Sequence, residues 1–131
     1  MINYISTSAI RNDAAGSGHF GAPRGDRKHR GIDYAVPVGA VILAPVAGTV
    51  TKLGYCYADD LQWRYVEVTD GDGSRHRAFY VDPCVETGME VTEYDPIGVA
   101  QDITRRYPGS GMIAHVHYEV IAPNGDYVEF I

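Results

Sequence analysis

The sequence is poor in cysteine, has fewer basic than acidic residues and has no long apolar run. Its two cysteines, Cys56 and Cys84, are too few for a cysteine-rich zinc site or a disulfide framework. We expect two ordinary thiols, with a single bridge as the alternative. The net charge of −6 argues against nucleic acid as a partner, because phosphate binding needs clustered Lys and Arg. No stretch approaches the roughly 20 apolar residues of a membrane span, so we expect no membrane partner.

The N-terminus is also without the features of an export signal. Met1 to Ile5 lacks a basic start and is not followed by the long apolar core of a signal peptide. We therefore expect synthesis in a cytoplasm without export by the usual secretory signal.

What the chain does contain favours strands and turns. Its 131 residues fit one domain, 1–131, and its 15 glycines, 7 prolines and 10 tyrosines favour a turn-rich β protein. Residues 11–31 are polar and glycine-rich, which predicts a long ordered loop, and loops of that length are usually functional. Hydrophobic alternation and turn signals predict an antiparallel all-β domain. The predicted strands are 31–35, 41–44, 48–53, 63–69, 76–81, 85–91, 97–100, 115–121 and 127–131.

Two groups of residues have the composition of a metal site. His29 and Asp33 stand four residues apart where the loop enters a strand, and His115 and His117 lie within a later strand. Strand periodicity places His115 and His117 on one face, roughly 6–7 Å apart. At that spacing one imidazole can bind a metal while the other lies beside the attacking water, which suits a hydrolytic zinc site. A surface or packing role for either group is the alternative.

Longer stretches around these residues resemble a known family. Phe20-Gly21-Ala22-Pro23-Arg24 followed by Arg27 to Asp33 resembles the opening motif of the lysostaphin-like zinc metallopeptidases. The segments 38–50, 85–91 with 97–98, and 115–120 resemble later motifs of that family, in the family's order. The resemblance extends from about residue 20 to the C-terminus and leaves 1–19 as an N-terminal arm or loop.

The resemblance implies an antiparallel β groove of the duplicated-hybrid-motif type, a barrel or sandwich, with one zinc ion on its floor. His29, Asp33 and His117 would be the zinc ligands, and His115 would be the base that takes a proton from water. The substrate would be a peptide of bacterial peptidoglycan. Zinc would polarise the scissile carbonyl and lower the pKa of water from about 15.7 toward 7.

One position departs from the family pattern. The strand before the 85–91 hairpin normally carries a histidine, and Tyr80 occupies its place here. This resembles a divergent branch that includes the leukocyte-derived chemotaxin, which keeps the zinc ligands and is regarded as lacking peptidase activity. Tyr80 could donate a hydrogen bond to a developing oxyanion, as the histidine would, or could be an aromatic of the groove wall.

Two functions follow from these expectations. The first is a zinc endopeptidase that hydrolyses peptidoglycan and acts on the cell wall, as a bacteriophage lysin or a wall-degrading part of the phage particle. The second is a catalytically weak or inactive zinc-binding module of the same fold. The first residues fall outside the resemblance and could be an arm that docks on a virion or tail protein.

Overall fold

The computed structural model describes residues 10–13, 16–24 and 27–129. Fourteen short or medium strands alternate with turns, and the helical structure of the described residues is one 3₁₀ turn, Ile103–Arg105. The strands are β1 (Asn12–Asp13), β2 (Gly16–Ser17), β3 (Pro23–Arg24), β4 (Arg27–Lys28), β5 (Ile32–Ala35), β6 (Val41–Leu43), β7 (Gly48–Tyr57), β8 (Asp60–Thr69), β9 (Arg75–Phe79), β10 (Val81–Pro83), β11 (Glu90–Val91), β12 (Pro96–Ala100), β13 (His115–Ile121) and β14 (Tyr127–Val128).

Two antiparallel sheets form the body of the fold. The larger has the order β11-β7-β8-β9-β13-β14, with β5 also paired to β13, and the smaller has the order β10-β12-β6. The loop before β5 contains two further two-stranded hairpins, β1-β2 and β3-β4. The expected all-β antiparallel fold is confirmed, and no helix among the described residues is long and apolar enough to cross a membrane.

Alternation along the long strands separates a packed core from a polar groove. On β13, Val116, Tyr118 and Val120 belong to the hydrophobic core, which also contains Ile42 and Val66. The intervening residues of β13 line a groove on the opposite face. Successive strand residues point to opposite faces, so the same strand that closes the core delivers its histidines to the groove.

The structure corrects the predicted strand at 85–91. Only Glu90–Val91 is a strand, and a turn precedes it, in which the Met89 N–H donates to the Glu86 carbonyl and Gly88 has a φ of 91°. Val85 and Val91 are both buried, which produced the apolar pattern of a strand. The positive φ at Gly88 bends the chain between them.

The predicted strand at 76–81 is also interrupted. β9 ends at Phe79 in the larger sheet and β10 begins at Val81 in the smaller one, so the chain changes sheets at Tyr80. Tyr80 has a φ of 68°, the one positive φ at a non-glycine among the described residues. Such a conformation costs about 1–3 kcal/mol and persists only where the surroundings enforce it.

The described residues near the N-terminal end of the chain pack against the larger sheet. Residues 10–13 and 16–19, expected to belong to an arm or loop, pack against β5, where Ile10 bridges to Tyr34. Met1 to Ala9 and the last two residues of the predicted strand 127–131 lie outside the described residues. Docking of an N-terminal arm on a virion or tail protein therefore stays a prediction.

Cys56 and Cys84 are both free thiols.

Candidate metal centre

Strand register brings the expected ligands together. β5 runs antiparallel to β13 with Asp33 opposite His117, so the two side chains lie side by side on the groove face. His29 lies just before β5, where its N–H donates to the Ala22 carbonyl at 2.8 Å and its carbonyl accepts from Gly21 at 2.9 Å. Gly31 lets the chain approach β13 closely, because a Cβ there would lie 2.3 Å from the Tyr118 carbonyl oxygen.

The three ligand atoms form a compact triangle. His29 Nε2 is 2.9 Å from His117 Nδ1 and 3.2 Å from Asp33 Oδ1, and His117 Nδ1 is 2.9 Å from Asp33 Oδ1. A tetrahedral zinc site with bonds of about 2.0–2.1 Å separates neighbouring ligand atoms by about 3.3–3.4 Å. The donor set of two imidazoles and one carboxylate therefore fits zinc with a small expansion.

Neighbouring acceptors determine which nitrogen of each ligand faces the centre. His29 Nδ1 lies 3.1 Å from the His19 carbonyl, and His117 Nε2 lies 2.9 Å from Glu119 Oε1. Assigned from these partners, the outward nitrogens carry the protons, which leaves His29 Nε2 and His117 Nδ1 for a metal. Glu119 is held in turn by Arg77, whose Nη1 is 3.5 Å from Glu119 Oε2.

The charges at the centre complement one another. Burial raises the pKa of Asp33, but its contacts with His117 and His29 outweigh burial and hold that pKa well below its ordinary value. Burial lowers the pKa of His117, whereas Asp33 and Glu119 raise it to a net value of about 9. A metal ion binding here would displace a proton from His117 into solvent.

His115 is placed to act as a base beside the three ligands. Its ring is buried, and its Nδ1 donates to the Ile113 carbonyl at 2.8 Å, which leaves Nε2 unprotonated. Nε2 is 3.7 Å from Asp33 Oδ2. Burial lowers the pKa of His115 below 6.5, so the imidazole is neutral at neutral pH.

Tyr80 extends its ring toward His115 from the crossover between the sheets. Its backbone is held on both sides, by its N–H to the Arg64 carbonyl and by the Gln101 N–H to its own carbonyl, each at 2.8 Å. The ring meets His115 edge-on with centroids 5.5 Å apart. Burial and Tyr57 raise the pKa of Tyr80 well above 10, so its hydroxyl keeps its proton and can donate it in a hydrogen bond.

A cluster of tyrosines surrounds that hydroxyl. The Tyr57 hydroxyl lies 3.2 Å from the Tyr80 hydroxyl and 2.7 Å from the Tyr107 hydroxyl, and the Arg106 guanidinium stacks 3.7 Å over the Tyr57 ring. Cys56 lies beside this cluster, where burial raises the pKa of its thiol to about 12. Since thiolates and not thiols are nucleophilic, Cys56 is not a nucleophile at neutral pH.

The groove around the centre is open and has a volume of about 650 Å³. Its wall carries both aromatic and charged side chains. Besides the residues already placed, its lining includes Arg11, Arg30, Phe79, Met112 and Tyr127.

The structure thus brings together every residue expected from the sequence, namely His29, Asp33, Tyr80, His115 and His117. Sequence reasoning missed Glu119, Tyr57 and Arg11. Glu119 had a usable signal, since it follows His117 by two on the same strand face. Tyr57 and Arg11 had none, because each reaches the centre from a remote part of the chain.

Comparison with known proteins identifies a matching family and similar sequences. The sequence profile of peptidase family M23 matches residues 27–130. Leukocyte cell-derived chemotaxin-2 of Mus musculus is 28% identical over 115 residues, which cover 87% of this chain and 74% of that protein.

Solved structures with the same fold include two of lysostaphin and one of a prophage-encoded M23 protein. The catalytic domain of the antimicrobial peptidase lysostaphin from Staphylococcus simulans superposes with a TM-score of 0.63 at 20% identity, covering 86% of this chain and 80% of that domain. A structure of the longer lysostaphin chain is matched over only 44% of its length. The catalytic domain of the prophage-encoded M23 protein EnpA from Enterococcus faecalis superposes with a TM-score of 0.62 at 23% identity, covering 92% of this chain and 87% of that one.

Proposed function

Because the chain belongs to peptidase family M23, we propose that it is a zinc-dependent endopeptidase that hydrolyses peptide bonds in bacterial peptidoglycan. The observation that carries the proposal is the triangle of His29 Nε2, Asp33 Oδ1 and His117 Nδ1, with the neutral His115 beside it. Three protein ligands and an adjacent base are the arrangement of a hydrolytic zinc site.

The residues divide the chemistry between them. Zinc held by His29, Asp33 and His117 would act as a Lewis acid on the scissile carbonyl and lower the pKa of the attacking water. His115 accepts the proton of that water at Nε2, since its Nδ1 is committed to the Ile113 carbonyl. The Tyr80 hydroxyl, which stays protonated, donates a hydrogen bond to the oxygen on which negative charge develops.

The groove and the relatives support the proposed substrate class. The groove is open and lined by aromatic side chains, which suits an extended peptide better than a small enclosed ligand. Lysostaphin is an antimicrobial peptidase and EnpA is prophage-encoded, which supports a role on the bacterial wall and a phage origin. We propose a bacteriophage lysin or a wall-degrading component of the virion.

A second candidate is a zinc-binding module that does not cleave. Two observations favour it: Tyr80 occupies the position where a histidine was expected, and the chain is similar to leukocyte cell-derived chemotaxin-2. In that case Tyr80 packs against the groove wall, and the aromatic cluster binds a partner without any reaction.

Release of soluble peptides from purified peptidoglycans of several bacteria would distinguish the two functions. If the protein is an enzyme, we expect peptide release that a chelator abolishes. His115→Ala should reduce that activity by about 10²–10⁴-fold, the usual contribution of a general base. Tyr94→Ala is the matched control, because Tyr94 is 83% exposed and is not part of the groove lining. A wild-type protein that contains zinc and releases nothing at any pH would favour the binding module. Absence of stoichiometric zinc on metal analysis would contradict both.

A further inference from the structure

Residues 11–13 and 16–18, which contain the paired strands β1 and β2 of one hairpin, lie against the ligand Asp33. The Arg11 N–H donates to the Asp33 carbonyl at 2.6 Å, and the Asp33 N–H donates to the Gly18 carbonyl at 2.7 Å. The hairpin is closed by the Gly18 N–H, which donates to the Arg11 carbonyl at 2.7 Å. Both backbone groups of a proposed metal ligand are therefore bonded to a segment that precedes the family match, which begins at residue 27.

The approach of this hairpin to Asp33 leaves no spare room. A Cβ at Gly18 would lie 2.6 Å from Asp33 Cβ and 2.9 Å from Arg11 Cβ, distances that real Cβ atoms do not reach. Glycine is thus required at position 18 for the hairpin to contact Asp33 directly. The close packing fixes where the Arg11 side chain begins relative to the metal centre.

The Arg11 side chain joins two carboxylates in the interior. It is 3% exposed, and its Nε donates to Asp33 Oδ2 at 3.1 Å while its Nη1 donates to Asp13 Oδ1 at 2.8 Å. A buried cation is tolerated when carboxylates satisfy it in this way. Arg11 holds the Oδ2 oxygen of Asp33, and the other oxygen, Oδ1, is the one that faces His29 and His117.

The same hairpin also contacts the segment that orients the base. Asp13 Oδ2 accepts from the Ile113 N–H at 2.9 Å, and the Ile113 carbonyl accepts from His115 Nδ1 at 2.8 Å. A continuous series of hydrogen bonds therefore joins Asp33, Arg11, Asp13, Ile113 and His115. It links a ligand on β5 to the base on β13 from outside the two strands.

We propose that Arg11, together with Asp13, is a positioning residue of the metal centre, which holds Asp33 as a one-oxygen ligand and fixes the backbone that orients His115. The assignment rests on the proposed zinc site. Partners that orient a metal ligand contribute about 10–100-fold to metal affinity or activity. The hairpin is accordingly part of the functional unit, although the family match does not include it.

Zinc affinity of the full chain, measured by competition with a chromophoric chelator, tests the assignment without any need for substrate. We expect Arg11→Gln to bind zinc about 10–100-fold more weakly than the wild type. The zinc affinity of the double variant Arg11→Gln/Asp13→Asn should fall by a similar factor. This variant keeps the net charge of the wild type but lacks the guanidinium group that bonds both carboxylates. Asn12→Ala is the matched control, because Asn12 is exposed in the same hairpin and its affinity should stay within about twofold.

The double variant separates geometry from charge. If Arg11 acted only through its charge, Arg11→Gln would bind zinc more tightly, because a cation near the metal is lost, and the double variant would return to the wild-type affinity. That pattern would overturn the assignment, as would wild-type affinity in both variants. The unfolding midpoint of each metal-free protein shows whether a loss of affinity comes with loss of the fold.

Arg11→Lys covers the case in which the glutamine variants do not fold. It keeps the buried charge, but one ammonium group cannot serve two carboxylates as the planar fork does. We expect zinc affinity to fall within the same range, and an unchanged affinity would refute the assignment. A wild-type protein without stoichiometric zinc refutes the metal site itself and this inference with it. If the wild type contains stoichiometric zinc and the variants bind zinc as tightly as it does, the metal site stands and only the role of Arg11 is refuted.

Discussion

Tyr80→Phe would remove one hydroxyl from the groove and leave the surrounding packing in place. Phenylalanine can keep the edge-on contact with His115 and inherits the same backbone, with its φ of 68°. The change therefore isolates the hydrogen bond that the hydroxyl is proposed to donate to the developing oxyanion.

The expected effects on rate and on stability differ in size. Loss of one oxyanion donor lowers kcat by about 10²–10³-fold, or about 2.7–4 kcal/mol of transition-state stabilisation. The hydroxyl's bond to Tyr57 is long, at 3.2 Å, and Tyr57 keeps its 2.7 Å bond to Tyr107. The loss in folding free energy should therefore be no more than the roughly 0.5–1.5 kcal/mol of an ordinary hydrogen bond.

Tyr57→Phe is the matched control, because it breaks the same hydroxyl contact from the other side and leaves the proposed donor in place. Its stability should fall by a similar amount, while its kcat should fall by less than about tenfold, since Tyr57 only supports Tyr80. Steady-state release of peptides from purified peptidoglycan gives kcat, and chemical unfolding gives stability. Wild-type kcat in Tyr80→Phe, or equal losses of kcat in the two variants, would refute the donor role.

Four further predictions concern the metal ligands, the base and Glu119, which orients one of the ligands. Zinc binding displaces the proton that keeps the pKa of His117 near 9, so affinity should rise about tenfold per pH unit from pH 7 to 9, and a pH-independent competition titration would contradict this. In the metal-free protein the raised pKa stabilises the fold below pH 6.5, and this contribution should fade as pH rises through about 9 in unfolding titrations. His115 must be neutral to accept a proton and burial lowers its pKa, so kcat/KM should decline only below pH 6.5; a decline centred above that value would exclude it as the base. Glu119→Ala removes the acceptor 2.9 Å from His117 Nε2 and should weaken zinc binding about 10–100-fold, whereas Glu119→Gln, which keeps an acceptor oxygen, should recover part of the loss in the same competition assay.

Local patterns predicted the parts of the site that lie on single strands. The alternation of β13 places His115 and His117 on one face, and the structure has both in the groove. Contacts between residues far apart in the sequence could not be predicted from local patterns. Arg11 meets Asp33, 22 positions later, through an N-terminal hairpin. No periodicity links the two, and only the folded hairpin with Gly18 at its close approach brings them together.

The break at Tyr80 was hidden for a related reason. The segment from His76 to Val81 is predicted as one strand because it follows the turn signal at 70–73, and nothing in its composition marks a change of sheet. The positive φ is enforced by hydrogen bonds to Arg64 and Gln101, which lie on other elements. A tyrosine in that conformation is unfavourable on local grounds, so tertiary contacts outweighed local preference at a residue of the proposed active site.

Tyr80 in place of a histidine leaves one fewer imidazole to titrate beside His115. The pKa of Tyr80 lies well above 10, whereas burial lowers the pKa of His115 from its ordinary value, so His115 is the member of this pair that titrates in the acid range. The profile of kcat/KM should therefore rise from acid to a plateau without a second inflection from position 80. Tyr80→His would place a second imidazole beside His115. The centroids of the Tyr80 and His115 rings are 5.5 Å apart, and we expect a similar separation between the two imidazoles. Since like charges that close disfavour each other, the variant should titrate in two steps and show an additional inflection between about pH 5 and 8. A profile identical to that of the wild type would mean that the side chain at position 80 does not affect the titration of the site. That result would favour a role for Tyr80 as an aromatic residue of the groove wall.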